Sequence, residues 1–321
     1  MQGRFLLGGN IMIDMHYDLL SVIYQCYLRM DYSYLEEWLD NYNSDNVSGV
    51  IANLYFMNEE EMKEELGLTL EEINVTEMFK KATEIFKEKM SGLNIIFSVE
   101  GCDYIKDTNE LEELYNLGLR NILLVWNNPN KYGSGNRGDY GLTEEGREFI
   151  RKAIDLGISI DLSHMNEKTF KDTVALIKEE KELGKKVKVL ASHSNSYSVC
   201  PHLRNLDDDE LRAIKELDGI VGVVEYSEFV LDNNASDEKL REAYLKNLKH
   251  IVDIMGIDNV GVASDDMTFD NYFFSGLGGR MVFNYKTIKK DLVELLSTDY
   301  NEEEINKILY KNAYRKLWEE K

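Results

Sequence analysis

Five histidines occur in the 321-residue chain, and three of them, His16, His164 and His193, stand where short apolar runs end. In a sheet of parallel strands the carboxyl ends face one common mouth, so a metal-binding side chain that closes an apolar run marks a site. Reading the run ends gives His16 and Asp18, then Glu100, His164, His193 and Asp265. Neutral imidazoles and carboxylates are ligands of zinc and related ions. In His16-Tyr17-Asp18 two such groups point the same way, because side chains i and i+2 share one side of an extended chain. Glu100 ends Ile-Ile-Phe-Ser-Val, and a carboxylate in that position needs a partner if it is buried. Each of these residues alone is commonly a capping, loop or core side chain. Five ligand-type residues, His16, Asp18, Glu100, His164 and His193, at the ends of four runs point to a metal centre.

The elements that must position them follow from the periodicity. Short β-branched runs alternate with longer helical patterns along most of the chain, the signature of βα units around a parallel sheet. Eight runs fit strands: Ile11–Met15, Gly49–Leu54, Asn94–Val99, Asn121–Val125, Ile158–Leu162, Val187–Ser192, Ile220–Val224 and Val260–Ser264. Helical patterns cover Leu70–Met90, Thr143–Leu156, Glu167–Leu183, Asp207–Leu217 and Ser236–Met255. Gly118 and Gly157 stand where helices should stop, and Thr143 is an expected N-cap followed by two glutamates. This count predicts an α/β fold, a (β/α)8 TIM-type barrel with additional C-terminal helices, with a doubly wound open sheet as the rival. One barrel domain is expected over 1–321, with 1–10 a flexible extension. Beyond a Gly/aromatic loop, Asn271–Gly279, residues 280–321 are expected to pack on the barrel as helices over Tyr285–Leu296 and Asn301–Trp318.

Composition narrows the partners. With 37 Lys+Arg against 59 Asp+Glu the formal net charge is −22, and the longest basic cluster is Lys185-Lys186-Val187-Lys188, which disfavours nucleic acid and anionic membrane. No apolar run is long enough to suggest a membrane span. Cys26, Cys102 and Cys200 are too few and scattered for a disulfide framework or a thiolate zinc site. A cytoplasmic location fits best.

With the site and barrel pattern in hand, the sequence resembles the membrane dipeptidase (renal dipeptidase) family of binuclear zinc peptidases in the amidohydrolase superfamily. The likeness runs from about Ile13 to Trp318. It is carried by Asp14-Met15-His16-Tyr17-Asp18, Ser98-Val99-Glu100-Gly101, Gly141-Leu142-Thr143 with Gly146-Arg147, and Asp161-Leu162-Ser163-His164. Ser192-His193-Ser194-Asn195, Arg204-Asn205-Leu206 with Asp208, Ser264-Asp265 and Asn312-Ala313-Tyr314-Arg315 continue it.

The resemblance implies hydrolysis of dipeptides, L,D-dipeptides among them, with two divalent ions, Zn2+ foremost, and a metal-bridging hydroxide as nucleophile. It implies that His16 and Asp18 bind one ion, His164 and His193 the other, and Glu100 both. Asp265 is then the catalytic proton shuttle, Arg204 the ligand of the substrate carboxylate and Tyr226 a further substrate contact. At the end of the fourth strand the family usually has a histidine, whereas this chain has Leu124-Val125-Trp126, so Trp126 is expected to reshape substrate binding. After Asp265 the family's DFDG becomes Asp265-Asp266-Met267-Thr268. Two alternatives stay open at this point: an amidohydrolase for another small amide, and a metal-retaining binding protein with little turnover. The family also implies homo-oligomers such as a homodimer, which the helical patterns leave undecided.

Overall fold

The computed structural model describes residues 11–33, 35–36, 47–55, 74–89, 94–266 and 280–319. Eight parallel strands close into a barrel: β1 (Ile13–Tyr17), β2 (Gly49–Tyr55), β3 (Asn94–Glu100), β4 (Leu119–Leu123), β7 (Ser159–Asp161), β8 (Val189–Ala191), β9 (Ile220–Val224) and β10 (Val260–Ala263). Their order around the barrel is β1-β10-β9-β8-β7-β4-β3-β2, so each strand neighbours the next in sequence and the ring closes between β1 and β10. The remaining pair, β5 (Pro129–Asn130) and β6 (Gly133–Ser134), is a small antiparallel hairpin in the loop after β4. This is the (β/α)8 barrel that the strand count predicts, and the open sheet is excluded by its closure.

Helices pack outside because their apolar faces meet the outward side chains of the strands. Leu19–Arg29, Val75–Lys89, Thr108–Leu117, Glu144–Leu156, Glu167–Glu182, Asp208–Glu216 and Asp237–Met255 supply this layer. Their ends obey the expected chemistry. The Thr143 hydroxyl accepts from Gly146 N at 3.0 Å, Asp207 forms a reciprocal cap with Glu210, and Gly118 and Gly157 end their helices at φ 122° and 77°. Among the described residues no helix is long and apolar enough to cross a membrane.

Inside the barrel the side chains form layers. At the amino-terminal end Ile13, Met15, Ile51, Ile96, Leu190, Ile220 and Ala263 make an apolar cluster, plugged from below by Ala313 and Leu317. Above it lies a polar belt, in which Asn121 Nδ2 donates to Ser98 Oγ at 2.9 Å and Asp161 accepts from the backbone of Ser163 and Ser192 at 3.1 and 3.0 Å. Gly222 lets β9 approach this belt, since a Cβ there would lie 2.0 Å from Ser192 O.

Several boundaries differ from the sequence reading. β1 lies two residues further along than Ile11–Met15, so His16 is within the strand and Asp18 is the N-cap of the following helix. Tyr17 between them is still extended, and the His16 and Asp18 side chains converge on one donor set with Glu100. The expected helix over Asn301–Trp318 is α-helical for Glu302–Asn306 and continues as wider π turns at Lys307–Lys311 and Tyr314–Trp318, with Asn312 and Ala313 α-helical between them. The expected helix from Tyr285 begins at Ile288, after a turn. Residues 1–10, the loop Asn271–Gly279, the pair Met267-Thr268 and the first turn of the helix expected from Leu70 lie outside the described residues.

Candidate active site

The polar belt rises into a cavity of about 270 Å³ at the carboxyl ends of the strands, lined in part by Asp18, Glu100, Trp126, His164, Arg204, Tyr226 and Asp265. His16 and His193 lie beneath its floor, fully buried. All nine residues singled out from the sequence thus gather at one mouth of the barrel.

Glu100, at the end of β3, sits at the centre. Its Oε2 is 3.0 Å from His16 Nε2, while its Oε1 is 2.9 Å from His164 Nε2 and 3.5 Å from His193 Nε2. His16 Nε2 is also 3.9 Å from Asp18 Oδ1 and 3.6 Å from Asp265 Oδ1. The backbone is bent to achieve this. His164 and Asp265, each just past a strand, have φ 69° and 51°, the left-handed region that His and Asp tolerate better than most residues. Asp265 N donates to His16 O at 3.0 Å, which fixes the turn beside the imidazole.

The outer ring nitrogens are tied to the barrel. Ser192 Oγ lies 3.0 Å from His16 Nδ1 and 2.9 Å from His193 Nδ1, and Asn127 Oδ1 lies 3.0 Å from His164 Nδ1. An oxygen acceptor at Nδ1 favours the tautomer with the proton there, which turns the Nε2 lone pairs inward. Asn53 stands at 3.1 Å from His16 Nδ1, and its Oδ1 has no other partner, so a turn of the amide gives His16 a second acceptor. Asp14 holds the same neighbourhood from below: it accepts from His16 N at 3.1 Å and from Ser264 N at 2.9 Å.

As protein atoms alone this cluster is short of positive charge. Burial pushes the Asp18, Glu100 and Asp265 carboxyls each up to about 8, with the charge of Glu100 adding to it at Asp18 and Asp265 and that of Asp161 at Glu100, and burial drives His164 and His193 well below the usual imidazole range. Asp18 Oδ1 has no hydrogen-bond partner, and His164 Nε2 faces His193 Nε2 at 2.9 Å, where at most one can carry a proton between them. Three overlapping sets of donors lie within 4.8 Å of one another: His16, Asp18 and Glu100; Glu100, His164 and His193; His16, His193 and Asp265. Inward lone pairs, an orphaned carboxylate oxygen and a mixed N/O donor set are what a divalent cation requires, so the residues fit one.

The cavity wall comes from the loops. Arg204 is 5% exposed, and its Nη2 donates to His193 O at 3.1 Å while Nε has no partner. Burial lowers it only to about 10, so it stays charged at neutral pH. Asn205 ties this loop to Phe229 O at 2.8 Å, and the Phe229 ring packs 4.8 Å from that of Tyr226. Tyr55, Asn127, Asn136, Arg137 and His202 also line the cavity and were not read from the sequence. Tyr55 lies within an apolar strand, where it looks like core, and the others lie in loops without periodicity.

A closed parallel barrel with imidazoles and carboxylates converging at its carboxyl mouth defines the class of metal-dependent barrel hydrolases. A sequence model of the membrane dipeptidase family, peptidase family M19, matches residues 2–320, and the chain belongs to that family of metallopeptidases. The chain is 33% identical over 171 residues to a protein of the PQQ-III 3′ region of Acinetobacter calcoaceticus, a match spanning 50% of this chain and 52% of the other, so about half that relative's length. It is 30% identical over 235 residues, 70% of this chain and 81% of the other, to a protein of the pqqA 5′ region of Klebsiella pneumoniae. A crystal structure of a Rhodobacter sphaeroides metallopeptidase, liganded with a phosphinate mimic of L-Ala-D-Ala, shares the fold with a TM-score of 0.71 at 22% identity, covering 96% of this chain and 98% of that one.

Proposed function

We propose that this chain hydrolyses dipeptides with two divalent metal ions held at the floor of the cavity. The observation that carries the reading is Glu100, whose two oxygens face His16 on one side and His164 and His193 on the other, so that one carboxylate is shared by two donor sets. His16 and Asp18 would hold one ion, His164 and His193 the other, and Glu100 both. Zinc suits imidazole and carboxylate donors. When bound, such a pair supplies an activated water and polarises the scissile carbonyl.

The remaining steps belong to side chains. Arg204 presents a buried, charged guanidinium with an unpartnered Nε, suited to a bidentate grip on the free C-terminal carboxylate. Asp265 stands beside His16 with its side chain partly open to the cavity. It takes the proton of the attacking water as the C–O bond forms and returns it to the amine nitrogen as the C–N bond breaks. Tyr226 and Trp126 bound the space for the two residues of the substrate. The Rhodobacter neighbour binds a mimic of a dipeptide with a D-residue in second position, and we extend that tolerance to this chain. Three free, buried cysteines accord with a reducing cytoplasm.

Metal analysis followed by a panel of L,L- and L,D-dipeptides on the same preparation tests the reading. Two equivalents of divalent metal with hydrolysis of free dipeptides is the expected result. A single equivalent at saturation overturns the two-ion site, and a fully loaded protein inert on the whole panel overturns the activity.

A further inference from the structure

The cavity holds two guanidinium groups, and the mechanism above uses only one. Arg204 is buried, whereas Arg137 lines the same cavity from the loop after β4 and is exposed at its mouth. The Arg137 guanidinium carbon lies 5.9 Å from the centre of the Trp126 ring, and among the described residues it forms no ion pair. An arginine over an aromatic face keeps its N–H groups free for an in-plane acceptor.

The surrounding chain holds Arg137 in this place. Its backbone N donates to Asn127 O at 2.8 Å, Gly135 N donates to Asn128 O at 3.3 Å and Gly138 N to Gly135 O at 2.9 Å. Residues 135–138 are thereby folded back on the strand exit that carries Trp126. The approach is close enough that a Cβ at Gly135 would lie 1.8 Å from Trp126 O, so only glycine allows it. Trp126 itself is set edge-on against Tyr55 at 5.0 Å and stands 6.1 Å from the His164 ring. The indole thus links the metal-ligand cluster on one side to a guanidinium on the other. Of the acidic groups in the wall, Asp18, Glu100 and Asp265 belong to the cluster, and Glu228 accepts from Asn233 Nδ2. Among the described residues Arg137 is thus left to face the cavity as an uncommitted cation.

We propose that Arg137, seated on Trp126, reads a second carboxylate, so that the preferred substrates are dipeptides with an acidic side chain whose C-terminal carboxylate goes to Arg204. The proposal rests on the dipeptidase reading and specifies its substrate class. A planar fork on an aromatic platform matches a carboxylate, which a neutral amide of equal shape does not reproduce.

The test compares kcat/KM for two isosteric pairs, Ala-Glu with Ala-Gln and Glu-Ala with Gln-Ala, on the metal-loaded enzyme. At least one pair should favour the acidic member by about tenfold or more, the scale of a hydrogen bond to a charged group. Arg137→Gln should bring that ratio to within about twofold of one, and Arg137→Lys should leave part of the preference. A wild-type ratio near one for both pairs, or a ratio unchanged in Arg137→Gln, overturns the proposal. Calorimetric titration of the metal-free protein with the same four peptides gives a readout independent of turnover. If none of the peptides is hydrolysed, the dipeptidase reading fails, and the affinity ratio decides the role of Arg137 by the same criteria.

Discussion

The two mouths of the barrel bury polar side chains in opposite ways. At the amino-terminal mouth, Asn312 Nδ2 donates to Ile257 O at 2.7 Å and Val260 O at 2.8 Å, Lys188 Nζ donates to Leu317 O at 2.7 Å, and the buried Lys316 ammonium reaches both the carbonyl and the carboxylate of Asp218. At the carboxyl mouth, three carboxylates and three imidazoles crowd together with an unpartnered Asp18 oxygen among them. Left-handed residues occur at both mouths. Asp218 is the ordinary turn that follows a helix, whereas His164 and Asp265 follow strands and aim a ring and a carboxyl at one point. One mouth is built for stability, the other gathers buried donors of the kind that a divalent cation takes.

The sharpest way to break this contrast is to remove the shared carboxylate. Glu100→Gln is expected to lower kcat/KM by about 10⁴-fold or more, the scale on which groups acting as a unit fail, with a matching loss of bound metal measured on the same sample. Full metal content with modest kinetic loss would show that Glu100 is not shared. Asp265→Asn should retain the metal and lower kcat by about 10²–10⁴-fold, the contribution of a positioned acid–base group. Metal loss in that variant would move Asp265 among the ligands, as its place in a donor set with His16 and His193 allows.

The sequence makes the carboxyl mouth legible because an ionisable residue ending an apolar run is conspicuous, and Glu100, His164 and His193 announce themselves that way. The groups that orient them do not. Asn53, Asn121 and Ser192 sit inside or beside strands where a single polar residue disturbs the pattern little, yet they make the belt beneath the cluster. Register is also hidden: β1 pairs with β2 through an irregularity between Asp14 and Tyr17, which no local pattern encodes. Arg137 escapes notice because its place depends on a hairpin and a glycine contact rather than on periodicity. At the opposite mouth, the wide turns over Lys307–Lys311 and Tyr314–Trp318 differ from an α-helix by too few residues per turn to show in so short a stretch.

A smaller effect should separate the mouths by stability alone. Asn312→Ala leaves the carbonyls of Ile257 and Val260 without their side-chain donor, at a cost of about 1–3 kcal/mol, and should lower Tm while KM and kcat stay as they are. Loss of activity in the folded variant would mean that the two mouths are coupled.

The smallest effect concerns Glu225, which follows β9 directly at the carboxyl mouth but lies outside the cavity lining. The residue is 1% exposed; Oε2 accepts from Phe283 N at 2.7 Å and Oε1 has no hydrogen-bond partner among the described residues. Burial, and then the charges of Asp266, Asp14 and Asp291, holds it well above its ordinary 4.5. The native protein therefore keeps a proton that the unfolded chain releases once the pH exceeds about 4.5, and the sign follows from linkage: the native state binds more protons, so stability falls as pH rises from there toward the native pKa. Glu225→Gln cannot ionise and should remove that part of the slope, so the difference in Tm between variant and wild type should widen toward alkaline pH. Parallel Tm profiles across the range would show that Glu225 is ionised and compensated in the native state. The uncompensated carboxylates of this mouth would then be confined to the cluster that faces the cavity, which is where a bound cation would meet them.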